Sequence, residues 1–468
     1  MKKFTIFCLI LLLLLTPMQV FASESEADAS VTNGCNTLDG QRPVLGSDKL
    51  VDNTSAAVLY EASTDTLMYA DNADAKMSPA SLTKILTALI AIEKANLTDA
   101  VTVRSQVLAT ISQNAVVVDL VADEVLTVED LLYCMMVGSG NDAAAVLADQ
   151  VMGSQKKFVD EMNRYAASIG CNNTVFTNVH GLHNDKQYTT ARDMAKILAK
   201  AIDNPVFCEV FGAKEYTVAK TNKSEERHLM SQNYLLNDDS VFVYYDSRVT
   251  GSRTAVAEDR SRSLASVARS GSMNLICITM GSESEYETDG YSVKVYGGYK
   301  ETSRLLDLGT SGYKAVELLH PGQILLQRSI SGSDYDVSIG TQESVFSVVP
   351  SGKTGNDLTY KFLDETTLEM PIRKGQRVAT VQIWCDSLCI AQTELVAMNS
   401  VIPAKNTVTA EPSLPERKNT GKTFLYVLGI AIVIAFVSYI VISVARAVRI
   451  AKARKNSRRH SRNRRRSR

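Results

Sequence analysis

Ser78-Pro79-Ala80-Ser81-Leu82-Thr83-Lys84-Ile85-Leu86-Thr87-Ala88-Leu89-Ile90 is the stretch that decides how this chain is read. Pro79 marks a helix entry. Leu82, Ile85, Leu86, Leu89 and Ile90 recur at helical spacing, so the run predicts a helix entering a buried core. One turn separates Ser81 from Lys84, which puts a hydroxyl and an amine on the same face. A serine hydroxyl is a poor nucleophile until a base takes its proton. A lysine takes it only as the neutral amine, a form favoured by desolvation in an apolar pocket. The helix N-terminus adds partial positive charge beside both groups.

The Ser-x-x-Lys spacing alone carries little. Ser154-Lys157 and Ser311-Lys314 share it, but have no long apolar helix behind them and read as solvated positions. The second candidate element is Ser139-Gly140-Asn141, set between two helical segments in Met135-Met136-Val137-Gly138-Ser139-Gly140-Asn141-Asp142-Ala143. A tight glycine turn there can aim polar side chains at a cleft. A second hydroxyl at Ser139 can relay a proton to a leaving amine, and the Asn141 amide can hold Lys84 and a substrate carbonyl. Ser231-Asn233 and Ser272-Asn274 match the triplet too, so the flanking residues single out Ser139.

The two ends predict a topology. Lys2 and Lys3, an apolar run from Phe4 to Leu15 and Val20-Phe21-Ala22 have the layout of a secretory signal peptide over 1–22. Residues 423–445 carry no charge and are long enough to span a bilayer. Residues 446–468 hold twelve Arg or Lys and no acid, which predicts a cytoplasmic tail resting on anionic lipid rather than nucleic acid. The bulk of the chain is then extracytoplasmic and acidic, anchored by one transmembrane helix in the cell membrane.

Between the ends, 23–49 is polar and predicts disorder. Residues 50–282 mix amphipathic helices with strand-like runs and predict an α/β domain. Ala56–Tyr60 with Leu67–Tyr69, and Ser263–Ala268 with Leu275–Met280, are its expected strands. Residues 290–398 show short alternating runs between Gly, Pro and Asp turns and predict a separate all-β sandwich. A Pro-containing linker, 402–422, leads to the span. Eight cysteines are present, one of them (Cys8) in the leader. Cys134 and Cys277 read as buried thiols, and Cys385 and Cys389 are close enough to pair. No His/Cys cluster has zinc spacing, so neither a metal, a cofactor nor a required disulfide is expected.

Together these motifs resemble the low-molecular-mass penicillin-binding proteins, the serine-type D-alanyl-D-alanine carboxypeptidases, whose pattern is Ser-x-x-Lys, Ser-x-Asn and Lys-Thr-Gly. The resemblance covers most of 50–398. It includes 79–84, 139–143, Asn178-Val179-His180-Gly181-Leu182-His183, 188–194, Asn233-Tyr234-Leu235-Leu236 and, in the β region, 371–378. It implies an antiparallel sheet with flanking helices and a helical subdomain, of the penicillin-binding-protein/β-lactamase type. It also implies peptidoglycan stem peptides as substrate and β-lactams as inhibitors. Ser81 would be the nucleophile, Lys84 the base and Ser139 the proton relay. The backbone N–H groups of Ser81 and Val256 would form the oxyanion hole, with Asn141 holding substrate.

The third motif departs from the pattern. Lys353-Thr354-Gly355 lies in the β region, too late to face Ser81, and reads as a turn. The matching run is Val249-Thr250-Gly251-Ser252-Arg253-Thr254-Ala255-Val256-Ala257, so Arg253-Thr254-Ala255 stands where the family has Lys-Thr-Gly. Arg253 keeps the charge and can grip a terminal carboxylate with two bonds, and Thr254 keeps a hydroxyl for it. The Ala255 methyl threatens the strand edge along which a substrate backbone would lie. This departure supports a rival reading, a weakened or inactive wall-binding scaffold. A β-lactamase is a third, disfavoured by the appended β domain and span. His180 and His183 read as structural, and Asp142 and Asp193 as helix caps.

Overall fold

The computed structural model describes residues 37–38, 43–45, 48–238, 243–363 and 367–403. The expected leader, span and basic tail lie outside them, as does nearly all of the linker. Among the described residues no helix is long and apolar enough to cross a membrane.

A five-stranded antiparallel sheet organises the first part of the chain. Its strands are β1 (Ala56–Glu61), β2 (Thr66–Asp71), β3 (Val249–Val256), β4 (Arg262–Ser270) and β5 (Met273–Ser282), in the spatial order β2-β1-β5-β4-β3. β1 is buried throughout and β5 at all but one residue, as apolar runs covered on both faces require. Ala57 pairs with Thr279, and Ala265 with Ile278, which joins the strands expected from the sequence. β3 is left at the sheet edge. The Val44 and Leu45 amides donate to the Leu67 and Met68 carbonyls, so this part of the stretch expected to be disordered is tied to β2.

Helix α1 (Thr83–Lys94) is buried from Thr83 to Ala91, which makes it a core helix rather than a surface one. Helices α2 (Val128–Met136), α3 (Asn141–Met152), α4 (Gln155–Ser168), α5 (Ala191–Ile202) and α6 (Pro205–Gly212) surround it, and α5 lies against β1 and β5. Thr127 caps α2 in a reciprocal box with Asp130. The left-handed Gly153, φ 72°, ends α3.

The opposite face of the sheet is covered by α7 (Gly297–Thr310), packed on β4 and β5. This helix corrects two expectations: the α/β part does not end near 282, and the chain beyond 290 is not all-β. The glycines that read as turns are contact points. A Cβ at Gly297 would collide with the Glu283 carbonyl, and one at Gly298 would stand 2.6 Å from Leu264 Cδ1. One at Gly309 would stand 2.5 Å from Leu59 Cδ2. Close approach of helix and sheet, not chain reversal, calls for glycine here.

Beyond α7 the chain is β structure. Strands β6 (Tyr313–Leu319) and β9 (Val345–Pro350) pair in one sheet. A second sheet has the order β7-β8-β12-β11-β10, from Ile324–Ser329, Asp336–Gly340, Leu388–Ala397, Arg377–Cys385 and Leu358–Leu363. Lys353-Thr354-Gly355 is a turn here, as expected: Thr354 and Asp357 cap each other, and Lys353 Nζ donates to Asp386 at 2.9 Å. Cys134 and Cys277 are buried free thiols, and burial pushes both up to about 12. Cys385 is also a free thiol, so it does not pair with Cys389. Cys389 is disulfide-bonded.

Candidate active site

Ser81 sits in a single 3-10 turn, Ala80–Leu82, immediately before α1. Ala80 has φ 42°, an unusual value for a residue with a Cβ. The loop behind it explains how that turn is held. Gly181, at φ 89°, backs so closely on Ala80 that a Cβ there would collide with the Ala80 carbonyl. Asn178 Oδ1 accepts from the Gly181 amide at 2.7 Å and fixes the loop.

Lys84 is fully buried, with Nζ 3.3 Å from Ser81 Oγ. Nζ donates to Asn141 Oδ1 at 2.7 Å and to the His180 carbonyl at 2.9 Å. Burial holds its pKa well below that of a free lysine. The positive Arg253 lowers it further, against an opposing pull from Asp142. Three distant segments therefore converge on one amine: the start of α1, the start of α3 and the 178–183 loop.

Ser139 precedes α3 with φ 59°. Its Oγ accepts from Arg253 Nη2 at 2.8 Å. Arg253 also donates through Nη1 to the Met136 carbonyl at 2.6 Å and the Met135 carbonyl at 3.4 Å, and through Nε to the Ser81 carbonyl at 3.3 Å. Its exposure is 5% and burial lowers its pKa to about 10. Four of the five N–H donors of Arg253 are thus taken up by the protein between Ser81 and Ser139, which leaves no pair for the expected two-bond grip on a substrate carboxylate. Ala255 turns the same way and is 2% exposed within the main core. Its methyl is not on the open strand edge, contrary to expectation.

Thr254 projects to the other face of β3, as strand alternation requires. Its Oγ1 accepts from Arg262 Nη1 at 3.1 Å. Val256 ends β3 and lines a cleft of about 460 Å³ together with Ser81, Asn141, His180 and His183. A larger cavity of about 700 Å³ lies elsewhere, lined by Tyr60, Cys208, Phe211 and Arg269, and holds none of the motif residues.

The two aspartates are not helix caps. Asp142 accepts from the Val118 and Leu120 amides and so fastens the 118–120 loop beside Ser139. Asp193 accepts from Asn173 and Thr174, while Thr190 is the cap of α5. His183 is exposed and pairs with Asp185 at 3.1 Å. His180 is buried, and sequence reasoning missed its part in the site. The contact to Lys84 is made by its backbone carbonyl, which no side-chain pattern reveals. Among the described residues no cluster of His, Cys, Asp or Glu has the form of a metal site.

The fold and this site define a protein of the penicillin-binding class, built around Ser-x-x-Lys and Ser-x-Asn. Residues 47–284 match the family described as D-alanyl-D-alanine carboxypeptidase, peptidase S11. Residues 313–402 match the penicillin-binding protein 5 C-terminal domain. The chain belongs to the D-alanyl-D-alanine carboxypeptidase family. The D-alanyl-D-alanine carboxypeptidase DacC of Escherichia coli K12 is 31% identical over 357 residues, covering 74% of this chain and 84% of that protein. DacF of Bacillus subtilis, likewise a D-alanyl-D-alanine carboxypeptidase, is 26% identical over 367 residues, covering 77% and 87%. Penicillin binding protein 5 from Haemophilus influenzae superposes with a TM-score of 0.64 at 28% identity, over 76% of this chain and 100% of that one.

Proposed function

We propose that this chain is a serine D-alanyl-D-alanine carboxypeptidase that trims the terminal D-Ala from peptidoglycan stem peptides through a Ser81 acyl-enzyme. The observation that carries the reading is the buried Lys84 amine 3.3 Å from Ser81 Oγ. A neutral amine has two N–H bonds and one lone pair. Asn141 and the His180 carbonyl take the two N–H bonds at 2.7 and 2.9 Å. The lone pair is then left for the Ser81 proton.

In this reading Ser81 Oγ attacks the carbonyl of the penultimate D-Ala, and its proton passes to Lys84. The backbone N–H groups of Ser81 and Val256 stabilise the oxyanion. Ser139 accepts from Arg253, so its own O–H is free to protonate the departing D-Ala amine, and the proton that Lys84 took from Ser81 replaces the one Ser139 gives up. Asn141 positions substrate as well as Lys84, and Thr254 meets the terminal carboxylate. Water then releases the acyl group. Penicillins acylate the same serine. The charge-free stretch 423–445 and the basic stretch 446–468 support a cell-membrane anchor with the enzyme outside and the tail on anionic lipid. The rival scaffold reading rested on Arg253-Thr254-Ala255 in place of Lys-Thr-Gly; the Arg253–Ser139 bond supplies a cation at that hydroxyl, and Ala255 is buried away from the strand edge. Mass spectrometry of the penicillin-treated chain tests the reading: the adduct belongs on the peptide containing Ser81, and an adduct elsewhere contradicts it.

A further inference from the structure

The commitment of Arg253 to Ser139 and to main-chain carbonyls leaves the terminal carboxylate of the proposed substrate without its expected cation. We propose that Arg262 supplies it, and that Arg262 with Thr254 is the carboxylate anchor and specificity determinant of this site. The inference rests on the carboxypeptidase reading and names a residue outside all three motifs.

Arg262 opens β4 directly opposite Val256, so it shares a face with Thr254 and Val256 and lies away from Arg253 and Ala255. Its guanidinium carbon lies 4.7 Å above the Tyr296 ring and 5.7 Å from that of Tyr299. This aromatic bed holds the plane of the fork. Nη1 donates to Thr254 Oγ1 at 3.1 Å. Nε is buried without a hydrogen-bond partner. Among the described residues Arg262 has no ion pair, unlike Arg227 and Arg248, which are paired with Glu124 and Asp246 at 2.6 Å. A half-buried guanidinium with an orphaned donor and no acid is a site awaiting an anion.

The reach is right for the leaving residue. Its carboxylate stands one residue, about 3.5 Å, beyond the scissile carbonyl. Thr254 lies two residues, about 7 Å, along the strand from Val256. A peptide whose scissile oxygen sits at the Val256 amide therefore brings its carboxylate within hydrogen-bond reach of the Thr254 hydroxyl and the fork beside it. The ligand class is a free α-carboxylate, so the anchor would favour an exo-acting enzyme that rejects peptides continuing past the second D-Ala.

The test compares diacetyl-Lys-D-Ala-D-Ala with its C-terminal carboxamide, using full-length parent, Arg262→Met and Arg262→Lys. In Arg262→Met the preference for the acid over the amide, as a ratio of kcat/KM, should fall about tenfold or more, mainly through KM of the acid. Arg262→Lys should restore part of it. A purely structural role moves both substrates together and leaves the ratio unchanged, and that result overturns the proposal. If the parent neither releases D-Ala nor takes up penicillin, the carboxypeptidase reading fails and the anchor with it. Parent activity with an unchanged ratio removes Arg262 alone.

Discussion

Arg253 Nη2 donates to Ser139 Oγ at 2.8 Å, bridging 114 residues of sequence and joining the edge strand of the sheet to the helical part of the site. The same side chain reaches the Ser81, Met135 and Met136 carbonyls, so one guanidinium holds both hydroxyl-bearing turns. A lysine at this place has one nitrogen with which to do this, whereas the planar fork has three.

Arg253→Met should therefore lower D-Ala release by about a hundredfold and stability by about 1–3 kcal/mol, because it leaves buried carbonyls unpaired. Arg253→Lys combined with Ala255→Gly should change turnover by no more than a few-fold. Steady-state kinetics on the double variant checks this. A large gain would mean that the natural residues cripple the site.

The acid limb of the pH profile reports Lys84. Burial is the larger cause of its lowered pKa, and Arg253 is the second. Only the neutral amine accepts the Ser81 proton, so acylation falls as pH drops through the Lys84 pKa. Removing the Arg253 charge raises that pKa, and the limb of Arg253→Gln should move to higher pH. The pH dependence of penicillin acylation measures the shift. A limb that stays in place, or moves to lower pH, contradicts the assigned coupling.

His180 should make the fold acid-sensitive. Burial first, and Lys84 in its protonated form second, lower its pKa from 6.5 to about 4. Its Nδ1 accepts from the Leu182 amide at 3.2 Å, a bond that protonation removes. The folded pKa lies below the unfolded one, so the contribution is complete above about pH 6.5 and lost as pH falls through about 4. At pH 4 the loss is about 3 kcal/mol. Denaturant titrations at pH 7 and pH 4 should show a smaller acid loss in His180→Gln. An equal loss in both proteins would place the acid sensitivity elsewhere.

How far the sequence carried depended on the kind of signal. Ser81, Lys84, Ser139 and Asn141 were legible because side-chain chemistry and local spacing coincide in them. Four of the five strands of the sheet were legible because they carry short, largely apolar runs such as Ala56–Tyr60 and Leu275–Met280; the edge strand β3 has no such run. Helix α7 was not, since its glycines serve helix–sheet contact while looking like turns. The direction of Arg253 was also hidden: strand alternation sends it inward and Thr254 outward, and which face is the cleft is a tertiary fact. The His180 carbonyl could not be found, because a backbone atom leaves no compositional mark.

The glycine contacts of α7 can be tested directly. Gly297→Ala should destabilise the fold by about 1–3 kcal/mol, since its methyl meets a main-chain carbonyl that cannot yield. Gly355→Ala, with open space around it, should stay within about 0.5 kcal/mol. Comparison of the two denaturation midpoints decides whether close packing or turn formation explains the α7 glycines.

The most direct measurement takes the full-length chain in detergent beside Ser81→Ala, labels both with a fluorescent penicillin, and follows D-Ala release from diacetyl-Lys-D-Ala-D-Ala. The account predicts labelling and D-Ala release by the parent and neither by the variant. A folded parent that is not labelled and releases no D-Ala, or a Ser81→Ala variant that retains turnover, would contradict it.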